Sequence, residues 1–421
     1  MACFAGPGRQ HTVGWFIDTG IVSMQQIQDN VSPPSFALFE LGFRPFFSAA
    51  AVFAIVAIGL WMAMFVFSLL LALRGFIGVF WHGHEMVFGY AMAVIAGFLL
   101  TAVGNWTGVP GLRGTPLLGL LTAWAVARVA FFWPSESALA VAALADAVFT
   151  LGLLVAVVRP IVQVRQWKQL GILAKLVLLV VSNLVFYAGA LGYSPDAALW
   201  GLYSGFYLVL ALVLAMARRV VPFFIERGVE EPFEARNRAW LDVGSMGLFL
   251  VWAVLDVFFD QATIVGILSV VLFVLHTVRL RDWFTPGILR APLLWSLYLG
   301  YGFLVLGFLL KALAAVSGIP GTLALHAFAF GGIGTITLGM MSRVSLGHTG
   351  RNVFDPPNVL AVMFSVLLVG ALVRVIVPLI DGAGYIVWVG ISQVLWMLGF
   401  GLFLIAYLPM LMQPRLDGRR G

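Results

Sequence analysis

His82, His84, Glu85 and Met86 stand at the opening of an apolar run of membrane-spanning length, WHGHEMVFGYAMAVIAGFLLTAVGNWT, residues 81–107. Imidazole and thioether suit copper or haem iron, with a carboxylate close by. Polar side chains are expensive in lipid, so inside a membrane segment they are functional candidates by default. In a helix, positions two apart project about 200° apart. His82 and His84 then face opposite sides. They serve two centres, or one ligates while the other hydrogen-bonds; if the chain is still extended there, both reach one metal. On a helix His82 stacks over Met86 and lies near Glu85. The plainer reading is a pair of interfacial histidines anchoring a helix end beside Trp81.

A second stretch, HAFAFGGIGTITLGMM, begins at His326. Its glycines, Gly331, Gly332, Gly334 and Gly339, either let helices approach closely or clear room for a flat macrocycle beside the histidine. Three cations fall inside apolar runs: Arg128, Lys311 and Arg374. Lys311 is expected to snorkel to the headgroups. Arg128 and Arg374 are candidates for neutralising an anion near the histidines, and arginine pairs carboxylates such as haem propionates bidentately. His276, one turn before the basic Arg279–Arg281 stretch, and His348, in a polar stretch expected to be a loop, are weaker ligand candidates. Nothing has the spacing of a hydrolytic triad or a zinc-protease helix.

The elements that carry these residues follow from composition. The chain has 421 residues, 62% hydrophobic and 10% charged, with mean hydropathy +1.03. A chain of this length with so little polar surface needs lipid as its outer solvent. The net charge of +6 does not point to nucleic acid, because the basic residues are scattered among short connections. The single cysteine, Cys3, excludes internal disulfides, a cysteine-rich iron–sulfur site and a structural zinc cluster. A metal would be held by histidine, methionine or carboxylate.

The pattern predicts an all-α, polytopic membrane bundle of about twelve transmembrane helices. Uniform apolarity does not suit an outer-membrane barrel. Residues 1–41 show no secretory signal and read as a cytoplasmic N-terminal extension; residues 42–414 form a single bundle and 415–421 a cytoplasmic tail. With the N-terminus inside, the inner connections collect Arg113, Arg159, Arg165, Lys168, Arg218, Arg227, Arg279, Arg343 and Arg351, while the outer ones hold little beyond Arg74. The positive-inside rule therefore places both termini in the cytoplasm of a bacterial inner membrane. His82, His84 and His326 then share the outer layer, with Arg128 and Arg374, while His276 and His348 lie toward the inner side.

The stretches at 81–108, FRPFF at 43–47, NRAWLD at 237–242 and HAFAFGGIGTITLGMMSRVSLGHTGR at 326–351 resemble, in the same order, the motifs of the NnrS family. The resemblance implies a multi-span membrane protein containing haem, of b type, and copper, with a role in nitric oxide and nitrosative stress near denitrification. It carries His82, His84, Glu85, His326, Arg343 and His348 as motif positions without assigning a ligand to a centre. The expected function is binding or detoxification of nitric oxide, with electrons from a quinol or another donor if there is turnover. The alternatives are a secondary transporter with a polar histidine lining, against which stands the lack of paired broken helices in matching halves, and a non-catalytic haem or nitric oxide sensor.

Overall fold

The computed structural model describes residues 36–69, 78–133 and 137–418. His11, Cys3, Arg74 and most of the expected N-terminal extension lie outside them. Among the described residues the regular structure is helical, as a chain in lipid must be to satisfy its own backbone. The helices are α1 (Phe43–Phe65), α2 (Gly78–Thr107), α3 (Gly114–Ala130), α4 (Ala138–Gln163), α5 (Trp167–Ala190), α6 (Ala197–Gly228), α7 (Ala239–Phe258), α8 (Ala262–Asp282), α9 (Pro292–Ser317), α10 (Gly321–His348), α11 (Val359–Ile380) and α12 (Tyr385–Met412). Eleven are long and apolar enough to cross a membrane; α3 is the shorter apolar helix. The bundle of about twelve helices expected from the sequence is therefore present.

Two helices run beyond their expected ends. Helix α6 continues through Pro222 to Gly228, past the end of its apolar run and into a charged stretch. Helix α10 continues to His348, so the polar 342–348 stretch is helix and not loop. In both cases polar residues extend a helix past the apolar layer, a boundary that hydropathy alone underestimates.

Helices α2 and α10 form the centre. In each, 78% of the most apolar window is buried, against 28–50% for the other membrane-length helices. Each changes character next to its histidine. The α-helix gives way to π-helix at Glu85–Ala91 and at Ala327–Gly334. π-helical turns are rare and gather at functional sites. They also leave backbone groups to be satisfied from outside: the Gly89 carbonyl accepts the Trp124 indole N–H at 3.0 Å. The Tyr90 and Thr337 hydroxyls, 2.7 Å apart, tie α2 to α10. Gly108 (φ 70°) and Gly318 (φ 71°) end α2 and α9 in the left-handed conformation that favours glycine.

At the basic end, Arg44 of the FRPFF stretch is fully buried. Its guanidinium donates to the Leu411 carbonyl at 2.9 Å and the Gln413 carbonyl at 2.7 Å, neutralising the negative end of α12. The Ala37 amide donates to the Met412 carbonyl at 2.9 Å. The first and last described turns therefore lie together at one end, as an even number of crossings requires. Helix α2 starts at the opposite end, and so does α10.

Candidate functional site

The opposite end of the bundle holds the sequence candidates in two separate clusters, because His82 and His84 do face different sides of α2. His82 turns toward α1 and α10. Its ring stacks on Trp61, centroids 4.7 Å apart and planes 6° apart. Its Nδ1 is buried with no hydrogen-bond partner. His82, His326 and Arg374 lie within electrostatic reach of one another.

His326, at the end of the first α-helical turns of α10, has Nδ1 2.7 Å from the Thr322 carbonyl. A carbonyl only accepts, so Nδ1 carries the proton and Nε2 keeps the lone pair that faces Arg374. A backbone acceptor on the far nitrogen is the usual way a ligating imidazole is oriented. Arg374 of α11 brings Nη2 to 3.2 Å from the His326 ring nitrogens and to 3.2 Å from the Tyr385 hydroxyl. Arg374 is 7% exposed. Its Nη1 is buried without a hydrogen-bond partner, and among the described residues no carboxylate pairs with it. Buried charges are normally paired, so this guanidinium is set for an anion.

The second cluster is closed on itself. His84 is fully buried. Its Nδ1 lies 2.9 Å from Glu85 Oε1 and its Nε2 3.0 Å from Asn183 Oδ1, so both ring nitrogens are engaged. Arg128 Nη1 pairs with Glu85 at 3.0 Å and Nη2 with Asp146, and Asp146 also accepts from the Tyr187 hydroxyl at 2.8 Å. Phe186 stacks on the imidazole at 4.3 Å. Glu85 thus serves His84 and not His82, contrary to the α-helical expectation. Met86 packs with the apolar core, and the π-helix that starts at Glu85 shifts the register on which its stacking over His82 was based. Arg128, expected at an anion, is bound to the protein's own carboxylates.

His276 and His348 stand apart from both. His276 lies 2.6 Å from the Tyr301 hydroxyl and stacks on Phe308 at 5.2 Å. Arg279 continues this network to Asp242 at 2.8 Å, and Arg218 joins Asp242 at 2.7 Å. The NRAWLD stretch therefore contributes Asp242 as the anchor for two arginines. His348 packs against Phe43 at the basic end, ring centroids 5.6 Å apart. Lys311 does not snorkel: its ammonium is 2.7 Å from Asp256, which also accepts from Tyr207.

The glycines after His326 serve close packing. A Cβ at Gly331 would lie 2.3 Å from the Phe303 ring, and one at Gly334 2.5 Å from the Trp396 ring. Side chains from α9 and α12 occupy the space that a macrocycle would need on those faces. Among the described residues no three His, Cys, Asp or Glu side chains are grouped to hold a metal ion. In this outer cluster the buried groups left without a partner are the His82 Nδ1 and the Arg374 Nη1. An imidazole lone pair beside an unpaired guanidinium fits the iron and a carboxylate of a haem. It fits a bare cation less well, because Arg374 would repel it.

Trp61, Asn183, Tyr187 and Tyr385 were not singled out by sequence reasoning. Each comes from a different helix from the histidine it serves, and only packing joins them. A family model described as NnrS protein matches residues 37–415, nearly the whole chain. No curated protein matches it.

Proposed function

The chain belongs to the NnrS family, and on that premise we propose that it is a haem protein of the bacterial inner membrane that binds or detoxifies nitric oxide. The observation that carries the reading is the outer trio: a His326 oriented by Thr322, a His82 beside it whose Nδ1 has no partner, and a buried Arg374 without a carboxylate partner. His326 would hold the haem iron through Nε2, in place of its contact with Arg374 Nη2. Arg374 would hold a propionate through its unpartnered Nη1, while Tyr385 and His326 fix the guanidinium at Nη2. When bound, a b-type haem supplies an iron that coordinates nitric oxide.

The chain's own part is positioning and exclusion of water. Thr322 sets the His326 tautomer, and Trp61 holds the His82 ring plane. Burial of Arg374 and partial burial of His82 and His326 limit the access of water to the site. Nitric oxide is small and apolar, so it can arrive through the lipid and needs no wide aqueous channel. A copper ion is proposed as a second cofactor, with His82 as its candidate donor, and a quinol as an electron donor for any turnover. Both termini are proposed to be cytoplasmic, on the positive-inside rule.

The test is an oxidised and dithionite-reduced absorption spectrum of the purified protein with metal analysis, followed by nitric oxide addition. A Soret band that shifts on reduction and again with nitric oxide is expected, and H326A should abolish it while the protein stays monodisperse. A colourless protein from cells supplied with haem and copper would overturn the reading. Haem that survives both H326A and H82A would overturn the ligand assignment alone.

A further inference from the structure

A narrow, almost wholly apolar cleft with about 80 Å³ of free volume opens between α1, α2, α5, α6 and α10. Phe47, Phe98, Ile172, Met216, Val220 and Met340 are among its walls. Its polar lining residue, Thr337, has its hydroxyl engaged with Tyr90 and with the Ile333 carbonyl. The cleft therefore offers a hydrocarbon chain contact area and no polar group to satisfy.

Cations continue the walls toward the basic end. Arg343 is three residues beyond Met340, on the same face of α10. Its guanidinium lies 3.9 Å from the centre of the Phe224 ring, and Phe224 is one turn beyond Val220 on α6. Arg219, next to Val220, donates to the Gln169 amide oxygen at 3.2 Å, and Gln169 is three residues before Ile172. Among the described residues neither arginine has a carboxylate partner. A membrane protein rich in buried ion pairs has left these two unpaired where a lipid headgroup would lie.

The geometry points to a site for one anionic phospholipid: an acyl chain in the cleft and its phosphate between Arg343 and Arg219. The free volume takes a short segment of one chain, and arginine suits phosphate geometry. Basic pockets between helices on the cytoplasmic side bind anionic headgroups in this way. An isoprenoid quinone has a tail for the cleft, but its neutral head offers nothing to two guanidiniums. The lipid would have a structural consequence. Its chain packs on Ile336 and Thr337, directly after the π-helical turns of α10, and so on the hydroxyl pair that ties α10 to α2. The inference does not depend on the haem reading.

The test uses the full chain in nanodiscs made from phosphatidylglycerol and phosphatidylethanolamine, extracted into detergent and weighed by native mass spectrometry. Retention of phosphatidylglycerol over phosphatidylethanolamine is expected. R343Q and R219Q should each weaken that preference about fivefold and together about thirtyfold. V213W, which fills the cleft and leaves both arginines in place, should also abolish retention. R290Q removes a cation that is paired with Glu231 and should change nothing. Equal retention of the two lipids, retention indifferent to the arginine variants, or retention of an isoprenoid quinone instead would each overturn the proposal. Unfolding curves of the variants separate lost binding from lost fold.

Discussion

Replacing Arg128 by methionine tests whether the His84 cluster is a closed structural unit or an open anion site. Arg128 is 5% exposed and its partners Glu85 and Asp146 are 1% and 0% exposed at the side chain. Methionine keeps much of the volume and removes the charge that both carboxylates share. Deleting one partner of a buried ion pair leaves an uncompensated charge and costs about 3–5 kcal/mol. Here two carboxylates lose their cation, so the upper part of that range is expected, limited by proton uptake at one of them. The triple variant E85Q/R128M/D146N removes every charge that Arg128 balances. It should recover to within about 2 kcal/mol of the parent, the residue being unsatisfied polar groups. Equilibrium unfolding in mixed micelles measures the cost, and the haem content of the folded fraction is the second readout. A single-variant cost below about 1 kcal/mol, or a triple variant no more stable than the single, would refute the pairing argument. Haem loss without a stability loss would return Arg128 to the role of a propionate holder.

Other expectations follow from the same packing. H84F should lower stability by about 1–3 kcal/mol, because Glu85 and Asn183 lose a buried partner, while haem per folded molecule stays unchanged; pigment analysis of the monodisperse fraction checks this. G201A should destabilise by about 1–3 kcal/mol or abolish folding. A Cβ there would lie 2.3 Å from the Phe186 amide nitrogen and 2.5 Å from the Ser182 carbonyl, and backbone cannot yield as a side-chain tip can. Denaturant unfolding would show the loss, and parent-like stability would refute the close α5–α6 approach. Asp381, between α11 and α12, accepts from the Trp388 indole at 3.0 Å and from the Gly384 amide. These bonds hold its carboxyl below the usual carboxylate range. Its contribution is therefore present above the unfolded value of about 3.9 and is lost as pH falls through the lower folded value. The Trp388 fluorescence should stay constant from neutral pH down to about that value and change only below it. D381N should remove the dependence, and a transition near neutral pH would contradict the assignment.

Much of this protein was legible without coordinates, for one physical reason. Lipid forces every crossing segment to be helical and apolar, so composition gave the class, hydropathy gave about twelve helices, and the cost of burying polar groups marked His82, His84, Glu85, Arg128, His326 and Arg374 as residues with work to do. The helical angle between positions two apart correctly sent His82 and His84 to different sides of α2. What the one-dimensional pattern lacked was partnership. Whether Arg128 met a ligand or Asp146, whether Lys311 reached water or Asp256, and whether Gly331 made room or filled it with Phe303 depended on side chains from other helices. The two π-helical stretches were equally invisible, since a change of hydrogen-bond register after His84 and His326 leaves no mark on apolar periodicity in a helix buried on all sides. The sequence by itself determined which residues had to be explained. The tertiary structure decided that one set, around His84, satisfies itself, while the other, around His82, His326 and Arg374, keeps a ring nitrogen and a guanidinium nitrogen without partners.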